Sequence, residues 1–176
     1  MARIILVTGG VRSGKSSFAE KLMLEKENVV YIATSPRLDS EMDERIKNHQ
    51  QRRADFGWQT IEEEVDIQNH LNEGKSYLVE CLTLWVNNLM YQAEKAGQEL
   101  NEEEISSKCQ SVLDKLDAID GTVLFVTNET GMGIMPINKA ARQFGDFAGR
   151  CNQMIAEAAS EVYLMVSGIP MKIKGE

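Results

Sequence analysis

One short segment near the amino terminus restricts the possible folds of this chain more than any other. Residues 9–16 read GGVRSGKS and match G-x-x-x-x-G-K-[ST] at every fixed position. The apolar run of residues 4–7 precedes them, and residues 17–24 follow with Phe18 and Leu22 one helical turn apart. A strand, a glycine-rich loop and a helix in this order form the context that a phosphate-binding loop requires.

The residue types in this loop explain the chemistry that it predicts. Glycines let the backbone turn successive N–H groups toward an anion, and the following helix adds its positive end. Lys15 is placed to reach the terminal phosphates of a nucleotide, and the Ser16 hydroxyl is placed to ligate Mg²⁺. We therefore predict nucleoside triphosphate binding by Gly9, Gly10, Val11, Arg12, Ser13, Gly14, Lys15 and Ser16.

Hydrophobic patterning along the rest of the chain predicts alternating strands and helices. The predicted strands are residues 4–7, 29–33, 58–61, 77–79, 122–126 and 162–166, the last followed by a short tail. The predicted helices begin at Ser17, at Asp39 or Ser40 (ending at Arg53), at Val65, at Leu82, before Ile105 and at Ile137. The helix of residues 137–159 is expected to be interrupted near Gly145 or Gly149. This alternation predicts one α/β doubly wound domain over residues 1–176.

Composition excludes several classes of protein. The net charge of −8 argues against a nucleic-acid partner, because proteins that bind phosphate backbones are usually basic. No run approaches 18 apolar residues, so no membrane span is expected, and the first strand leaves no room for a signal peptide. The three cysteines are an odd number, and their spacings do not suggest a disulfide framework or a metal site. They are therefore expected to be free thiols. A cytoplasmic location is therefore expected.

Acidic residues at the ends of strands are candidates for holding the metal ion. In doubly wound sheets, ligands bind beyond the carboxyl ends of the strands. Glu80 closes the strand YLVE, where an acid can hold Mg²⁺ directly or through water. Glu129, in the loop of residues 127–133, is the rival for this role, and Glu62 follows a third strand end. Asn128 can meet a ligand or only form a turn.

A basic helical face carries one of the two histidines. A neutral imidazole is a good nucleophile toward phosphorus at pH 7, and Arg45, Arg52 and Arg53 could bind nucleotide phosphates beside His49. Spacing alone nevertheless favours a solvated helix histidine. His70 suits a structural or solvated role better. The residues that share this face at helical spacing are Met42, Arg45, Ile46, His49, Arg52 and Arg53.

Taken together, these motifs closely resemble the bifunctional adenosylcobinamide kinase / adenosylcobinamide-phosphate guanylyltransferase family of cobalamin assembly. The resemblance covers the chain nearly end to end. It departs from the family pattern at Arg53-Ala54, where the family usually has Arg-Pro, and before Trp58, where this chain is one residue longer. Some members have two adjacent histidines where this chain has Asn48 and His49. The matching segments are residues 8–16, 31–35, 38–53, 58–62, 79–89, 126–136, 144–153 and 162–174.

The resemblance implies two reactions. A kinase step phosphorylates adenosylcobinamide with ATP or GTP, and a guanylyltransferase step passes GMP from GTP, through His49, to adenosylcobinamide phosphate. Mg²⁺ would assist both steps, held by Ser16 and Glu80. The resemblance also implies a RecA-like, mostly parallel sheet and a homotrimer. Implied nucleotide contacts beyond the phosphate loop are Thr34, Ser35, Pro36, Arg52, Glu62 and Glu80.

Two rival functions remain open from the sequence. A monofunctional small-molecule kinase with a phosphate loop would share the nucleotide site, but such kinases commonly carry an arginine-bearing lid. The obvious insert here, residues 97–108, is acidic and contains no arginine. A nucleotide-controlled switch or assembly ATPase would share the loop without transferring any group.

Overall fold

The computed structural model describes residues 1–36, 44, 47, 50, 51 and 53–175. The described residues from 44 to 53 are helical. His49, Arg52 and most of the predicted helix around them lie outside the described residues.

The core of the fold is a seven-stranded sheet in the order β3-β2-β4-β5-β1-β6-β7. Every neighbouring pair is parallel except the last, in which β7 runs antiparallel to β6. This mostly parallel sheet confirms the predicted α/β architecture and is consistent with a phosphate-loop fold. The strands are β1 (Arg3–Gly9), β2 (Val29–Ala33), β3 (Gln59–Glu62), β4 (Ser76–Glu80), β5 (Thr122–Val126), β6 (Glu161–Val166) and β7 (Ile169–Lys174).

Four α-helices are described in addition to the helical residues around position 50. They are α1 (Lys15–Met23), α2 (Leu82–Lys95), α3 (Glu102–Asp117) and α4 (Lys139–Ala158). Short 3₁₀ helices occupy Ala54–Phe56 and Ile67–His70, the second in place of the predicted helix of residues 65–71. Within the described part of the chain, none of the helices combines the length and the apolar character needed to cross a bilayer.

Alternate residues of the strands face two different helical layers. In β1, Ile4 and Leu6 belong to a core cluster shared with α2, α3 and α4. Ile5 and Val7 belong to a second cluster, which contains Ala19 of α1. Because both faces of the sheet are covered, its strands are apolar runs, as is usual for parallel sheets.

Strand register brings the carboxyl ends of the central strands to one edge. Ala33 of β2 pairs with both Glu62 of β3 and Glu80 of β4, and Glu80 pairs with Val126 of β5. Val126 in turn pairs with Val7 of β1. The phosphate loop and three strand-end segments therefore meet at the same end of the sheet.

The predicted interruption of the last helix is wrong. Helix α4 runs unbroken through Gly145 and Gly149, and a Cβ atom on either glycine would meet nothing within 4 Å. Both glycines therefore cost helix propensity, about 1 kcal/mol each, without distorting the backbone. Burial of Phe147, Cys151 and Ile155 on one face of α4 outweighs this cost.

Residues 162–166 do lie in a strand, β6, but the prediction that this strand is the last one is wrong. Strand β7 follows β6 after a two-residue turn at Ser167 and Gly168, which have φ angles of 52° and 86°. Positive φ at both central residues is the geometry that joins two antiparallel strands tightly. Pro170 is tolerated in β7 because this strand lies at the edge of the sheet.

Candidate functional site

The phosphate loop of residues 9–14 depends on glycine at two positions. Gly9 and Gly14 have φ angles of 149° and 94°. A Cβ atom on Gly9 would lie 2.5 Å from the Met165 carbonyl oxygen, and one on Gly14 would lie 3.2 Å from Gly168 Cα. The Gly168 N–H also donates to the Ser13 carbonyl at 2.9 Å. The β6–β7 turn therefore packs directly against the loop.

Lys15 begins α1 and bends back over the loop. Its Nζ donates to the Gly10 carbonyl at 2.6 Å, and the residue is 7% exposed. Burial lowers the pKa of Lys15, and the nearby Cys81 and Glu80 side chains partly oppose that shift. The first turn of α1 contains no acidic residue. An incoming phosphate would thus meet a helix end whose positive charge is not offset within that turn.

Ser16 and Glu80 meet at the start of α1. The Ser16 Oγ donates to Glu80 Oε1 in a short contact that joins the phosphate-loop helix to the end of β4. Hydroxyl and carboxylate oxygens are the hard ligands that Mg²⁺ prefers, so this donor set fits the predicted ion. The rival acid, Glu129, is not among the residues that line the adjoining cavity, whereas Glu80 is. The geometry therefore favours Glu80 as the metal-side acid.

The second oxygen of the Glu80 carboxylate is held by a tyrosine. The Tyr31 hydroxyl donates to Glu80 Oε2 at 3.0 Å, and Arg53 lies over the tyrosine ring with its Cζ 3.4 Å from the centroid. Arg53 Nη1 lies 3.7 Å from Glu20 Oε1 on α1. Burial, and after it the negative charge of Glu80, raises the pKa of Tyr31 well above its ordinary value. The hydroxyl therefore remains a hydrogen-bond donor at neutral pH.

The predicted contacts at residues 34–36 are not equivalent. Thr34 is fully buried, and its Oγ1 accepts from the Cys81 N–H at 2.6 Å and donates to the Cys81 carbonyl at 2.9 Å. Its side chain thus fixes the backbone just after Glu80. Ser35 has a buried Oγ that has no partner among the described residues and lies at the cavity. Pro36 is buried away from the cavity lining.

These elements enclose a cavity of about 310 Å³ at the carboxyl ends of the strands. Gly9, Gly10, Ser13 and Gly14 contribute the backbone of the adjoining loop, whereas the structure places Thr34 behind it. Glu129 does not line the cavity. The predicted residues that do line it are Val11, Arg12, Lys15, Ser16, Ser35, Arg53, Glu62 and Glu80.

Some residues that line the cavity were not predicted as site residues from the sequence. They include Tyr31, Gln50 and Thr60. One signal was present for Tyr31, because a tyrosine in a buried strand needs a partner for its hydroxyl. Asn128, for which a turn was the alternative, also lines the cavity, and its Nδ2 donates to Thr83 Oγ1 at 2.8 Å.

Comparisons with known proteins give a consistent result. A family model described as cobinamide kinase / cobinamide phosphate guanyltransferase matches residues 5–173. A protein of Escherichia coli K12, named bifunctional adenosylcobalamin biosynthesis protein CobU, is 45% identical over 97% of this chain and 99% of its own length. A Pseudomonas aeruginosa protein, named bifunctional adenosylcobalamin biosynthesis protein CobP, is 39% identical over 97% of both chains.

Proposed function

The chain belongs to the cobinamide kinase / cobinamide phosphate guanyltransferase family, and from this membership we propose two reactions for it. The first transfers the terminal phosphoryl group of ATP or GTP to a hydroxyl of adenosylcobinamide. The second transfers GMP from GTP to adenosylcobinamide phosphate, gives adenosylcobinamide-GDP and releases pyrophosphate. The chain is accordingly a transferase that acts twice on one corrinoid.

The convergence of Lys15, Ser16 and Glu80 on one cavity is the observation that carries this proposal. Loop N–H groups and the Lys15 ammonium would hold the phosphoryl oxygens where negative charge develops during transfer. Ser16 and Glu80 would hold Mg²⁺, which when bound neutralises charge on the phosphate oxygens. The Lys15 ammonium has three N–H donors and uses one of them on the Gly10 carbonyl, so the others are available to phosphate oxygens.

For the second reaction we infer a covalent intermediate on His49. The neutral imidazole attacks the α-phosphorus of GTP, a P–N bond forms, and the P–O bond to pyrophosphate breaks. A phosphate oxygen of the corrinoid then attacks the same phosphorus, and the P–N bond breaks. The other histidine, His70, is already engaged, with Nε2 2.9 Å from Glu63 Oε2. That contact leaves the other ring nitrogen available, but His70 is not among the residues that line the cavity, and this placement supports His49 as the nucleophile.

Labelling with GTP that carries ³²P at the α position tests the intermediate. The unaltered protein should retain an acid-labile, alkali-stable label, as expected for a phosphoramidate. The variant His49→Ala should lose the label, whereas the matched control His70→Ala should keep it. A label that survives in His49→Ala would overturn the assignment.

Mass analysis of the corrinoid separates the proposal from its rivals. Incubation of cobinamide with ATP or GTP should give first the phosphate and then, with GTP, the GDP derivative. Formation of the phosphate alone would favour a monofunctional small-molecule kinase. Hydrolysis of nucleotide with no corrinoid product would favour a nucleotide-controlled ATPase.

A homotrimer is the assembly that we propose, since the family resemblance implies it. Large apolar side chains exposed on the loop that follows β5 support self-association, because monomers rarely leave such groups uncovered together. They include Met132, Ile134 and Ile137, of which the last two are 97% and 99% exposed. Light scattering should give three times the chain mass of 19.7 kDa. A mass of one chain would contradict the proposal.

A further inference from the structure

Two hydroxyl groups from different elements hold the two oxygens of the Glu80 carboxylate. Ser16 of α1 donates to Oε1, and Tyr31 of β2 donates to Oε2 at 3.0 Å. A glutamate side chain has three rotatable bonds, and loss of either contact would let the carboxylate turn. The Tyr31 hydroxyl therefore contacts the acid that faces Ser16.

The Tyr31 ring is itself fixed by a buried charge. The Arg53 guanidinium stacks on the ring at 3.4 Å and lies 3.7 Å from Glu20 of α1. Tyr31 is 4% exposed and Arg53 is 7% exposed, so both groups are removed from water. Stacking of a desolvated guanidinium on an aromatic face is among the stronger forms of this interaction. The ring therefore has one orientation, and its hydroxyl points at Glu80.

We propose that Tyr31 is a positioning residue that aims the Glu80 carboxylate at the metal position beside Ser16, and that Arg53 holds Tyr31 in place. With Oε2 bound to Tyr31, Oε1 remains directed toward the Ser16 hydroxyl. Mg²⁺ demands near-ideal octahedral geometry, so a rotated carboxylate would ligate it poorly. This inference rests on the proposed function of Ser16 and Glu80.

The test measures how far Mg²⁺ strengthens nucleotide binding, without reference to turnover. The dissociation constant of a fluorescent GTP analogue is measured with Mg²⁺ and with EDTA, and the ratio of the two values is the metal enhancement. Tyr31→Phe removes only the hydroxyl and keeps the ring under Arg53. We expect it to reduce the enhancement roughly fivefold, while the affinity in EDTA stays unchanged.

A matched control separates this effect from general loss of a tyrosine hydroxyl that donates to a glutamate. Tyr163 in β6 packs its ring 5.1 Å from Phe18 of α1 and donates its hydroxyl to Glu161 at 2.6 Å, away from Glu80. Tyr163→Phe should leave the metal enhancement unaltered. An unchanged enhancement in Tyr31→Phe would overturn the positioning role. An equal loss of affinity with Mg²⁺ and with EDTA would do the same, because a merely structural defect weakens both.

A double-mutant cycle tests the part assigned to Arg53. Arg53→Lys keeps the charge and loses the planar stack, and it should lower the metal enhancement when Tyr31 is present. In the Tyr31→Phe background it should have no further effect on the enhancement. Two independent, multiplicative reductions would overturn the coupling through Tyr31.

One further variant distinguishes failure of this inference from failure of the proposed metal site. Glu80→Gln should abolish the metal enhancement if Glu80 faces the ion. If Glu80→Gln abolishes it and Tyr31→Phe does not, only the positioning role fails. If the enhancement survives in Glu80→Gln, the metal site of the proposed function fails as well.

Discussion

At the residue scale, the Lys15 side chain is held close to the phosphate loop in the protein without nucleotide. Its ammonium already has an acceptor in the Gly10 carbonyl at 2.6 Å, so the buried charge is satisfied without nucleotide. A phosphate offers a stronger, charged acceptor at the same end of the loop.

Lys15→Met should therefore lower kcat/KM of the kinase step by about 100-fold or more, since it removes a cation aimed at developing charge. Steady-state kinetics with cobinamide measure this loss. Lys21→Met is a suitable control, because Lys21 lies on the same helix and is exposed. A comparable loss in both variants would assign the effect to the helix as a whole.

Glu161 provides a second residue-scale prediction, on stability and pH. Its carboxylate accepts from the Tyr163 hydroxyl and from Arg3, and its pKa is lowered from 4.5 to about 2. A carboxyl group with a depressed pKa stabilises the fold fully above its unfolded value, and that contribution is lost as the pH falls toward the folded value.

Glu161→Gln should accordingly lower the free energy of unfolding by about 1–3 kcal/mol at pH 7. The difference from the unaltered protein should shrink between pH 4.5 and about 2. Urea unfolding at a series of pH values measures it. Glu73→Gln, at an exposed turn position, is the control and should leave the free energy of unfolding at pH 7 nearly unchanged. A difference that stays constant with pH would contradict the prediction.

The positions of site residues, though not their roles, could be predicted from the sequence where they belong to a local motif, and Lys15, Ser16 and Glu80 do lie at one cavity. Lys15 and Ser16 are fixed by the loop pattern, and Glu80 is fixed by its place at a strand end. The stack of Arg53 on Tyr31 could not be predicted, because it depends on how two distant segments pack. The separation of residues 31 and 53 along the sequence does not indicate that their side chains lie in contact.

At the scale of secondary-structure elements, α3 begins with a capping box that adds to the burial of its apolar face. The Asn101 side chain accepts from the Glu104 N–H at 2.9 Å, and the Glu104 side chain accepts from the Asn101 N–H. Asn101→Ala should destabilise the protein by about 1 kcal/mol, because it leaves orphan N–H groups in the first turn. Thermal unfolding measures the loss. Asn101→Asp retains the acceptor and should be nearly neutral, and an equal loss in both would contradict the capping role.

Helices and strands could be predicted where apolar residues recur regularly. They were mispredicted where a proline or a glycine pointed to a different structure from the one that packing favours. Val29–Ala33 and Thr122–Val126 have the predicted bounds because each is a continuous buried run. β7 was missed because its side chains are exposed and it contains Pro170. The predicted interruption in α4 rests on the low helix propensity of Gly145 and Gly149, which the buried apolar face of the helix outweighs.

At the scale of the whole molecule, the β6–β7 turn and the phosphate loop support each other. Gly14→Ala would force a Cβ atom to 3.2 Å from Gly168 Cα, at a φ angle of 94° that suits glycine. We expect nucleotide affinity to fall at least tenfold, measured by titration with a fluorescent GTP analogue. Gly133→Ala is the control, since its Cβ atom would meet nothing within 4 Å. Unchanged affinity in Gly14→Ala would show that the loop adapts without this contact.

Strand order has a consequence for how this protein is made. β1 is synthesised early, yet it lies between β5 and β6, so Arg3 pairs with Thr122 and Ile5 with Glu161. In a nascent chain, β1 cannot pair with both of its neighbours until the ribosome has translated β6. The hydrogen bond from the Gly168 N–H to the Ser13 carbonyl can form only after that, because Gly168 follows β6. A nucleotide at the phosphate loop therefore cannot serve as a template for early co-translational folding and can act only after β6 and the turn that follows it have been translated.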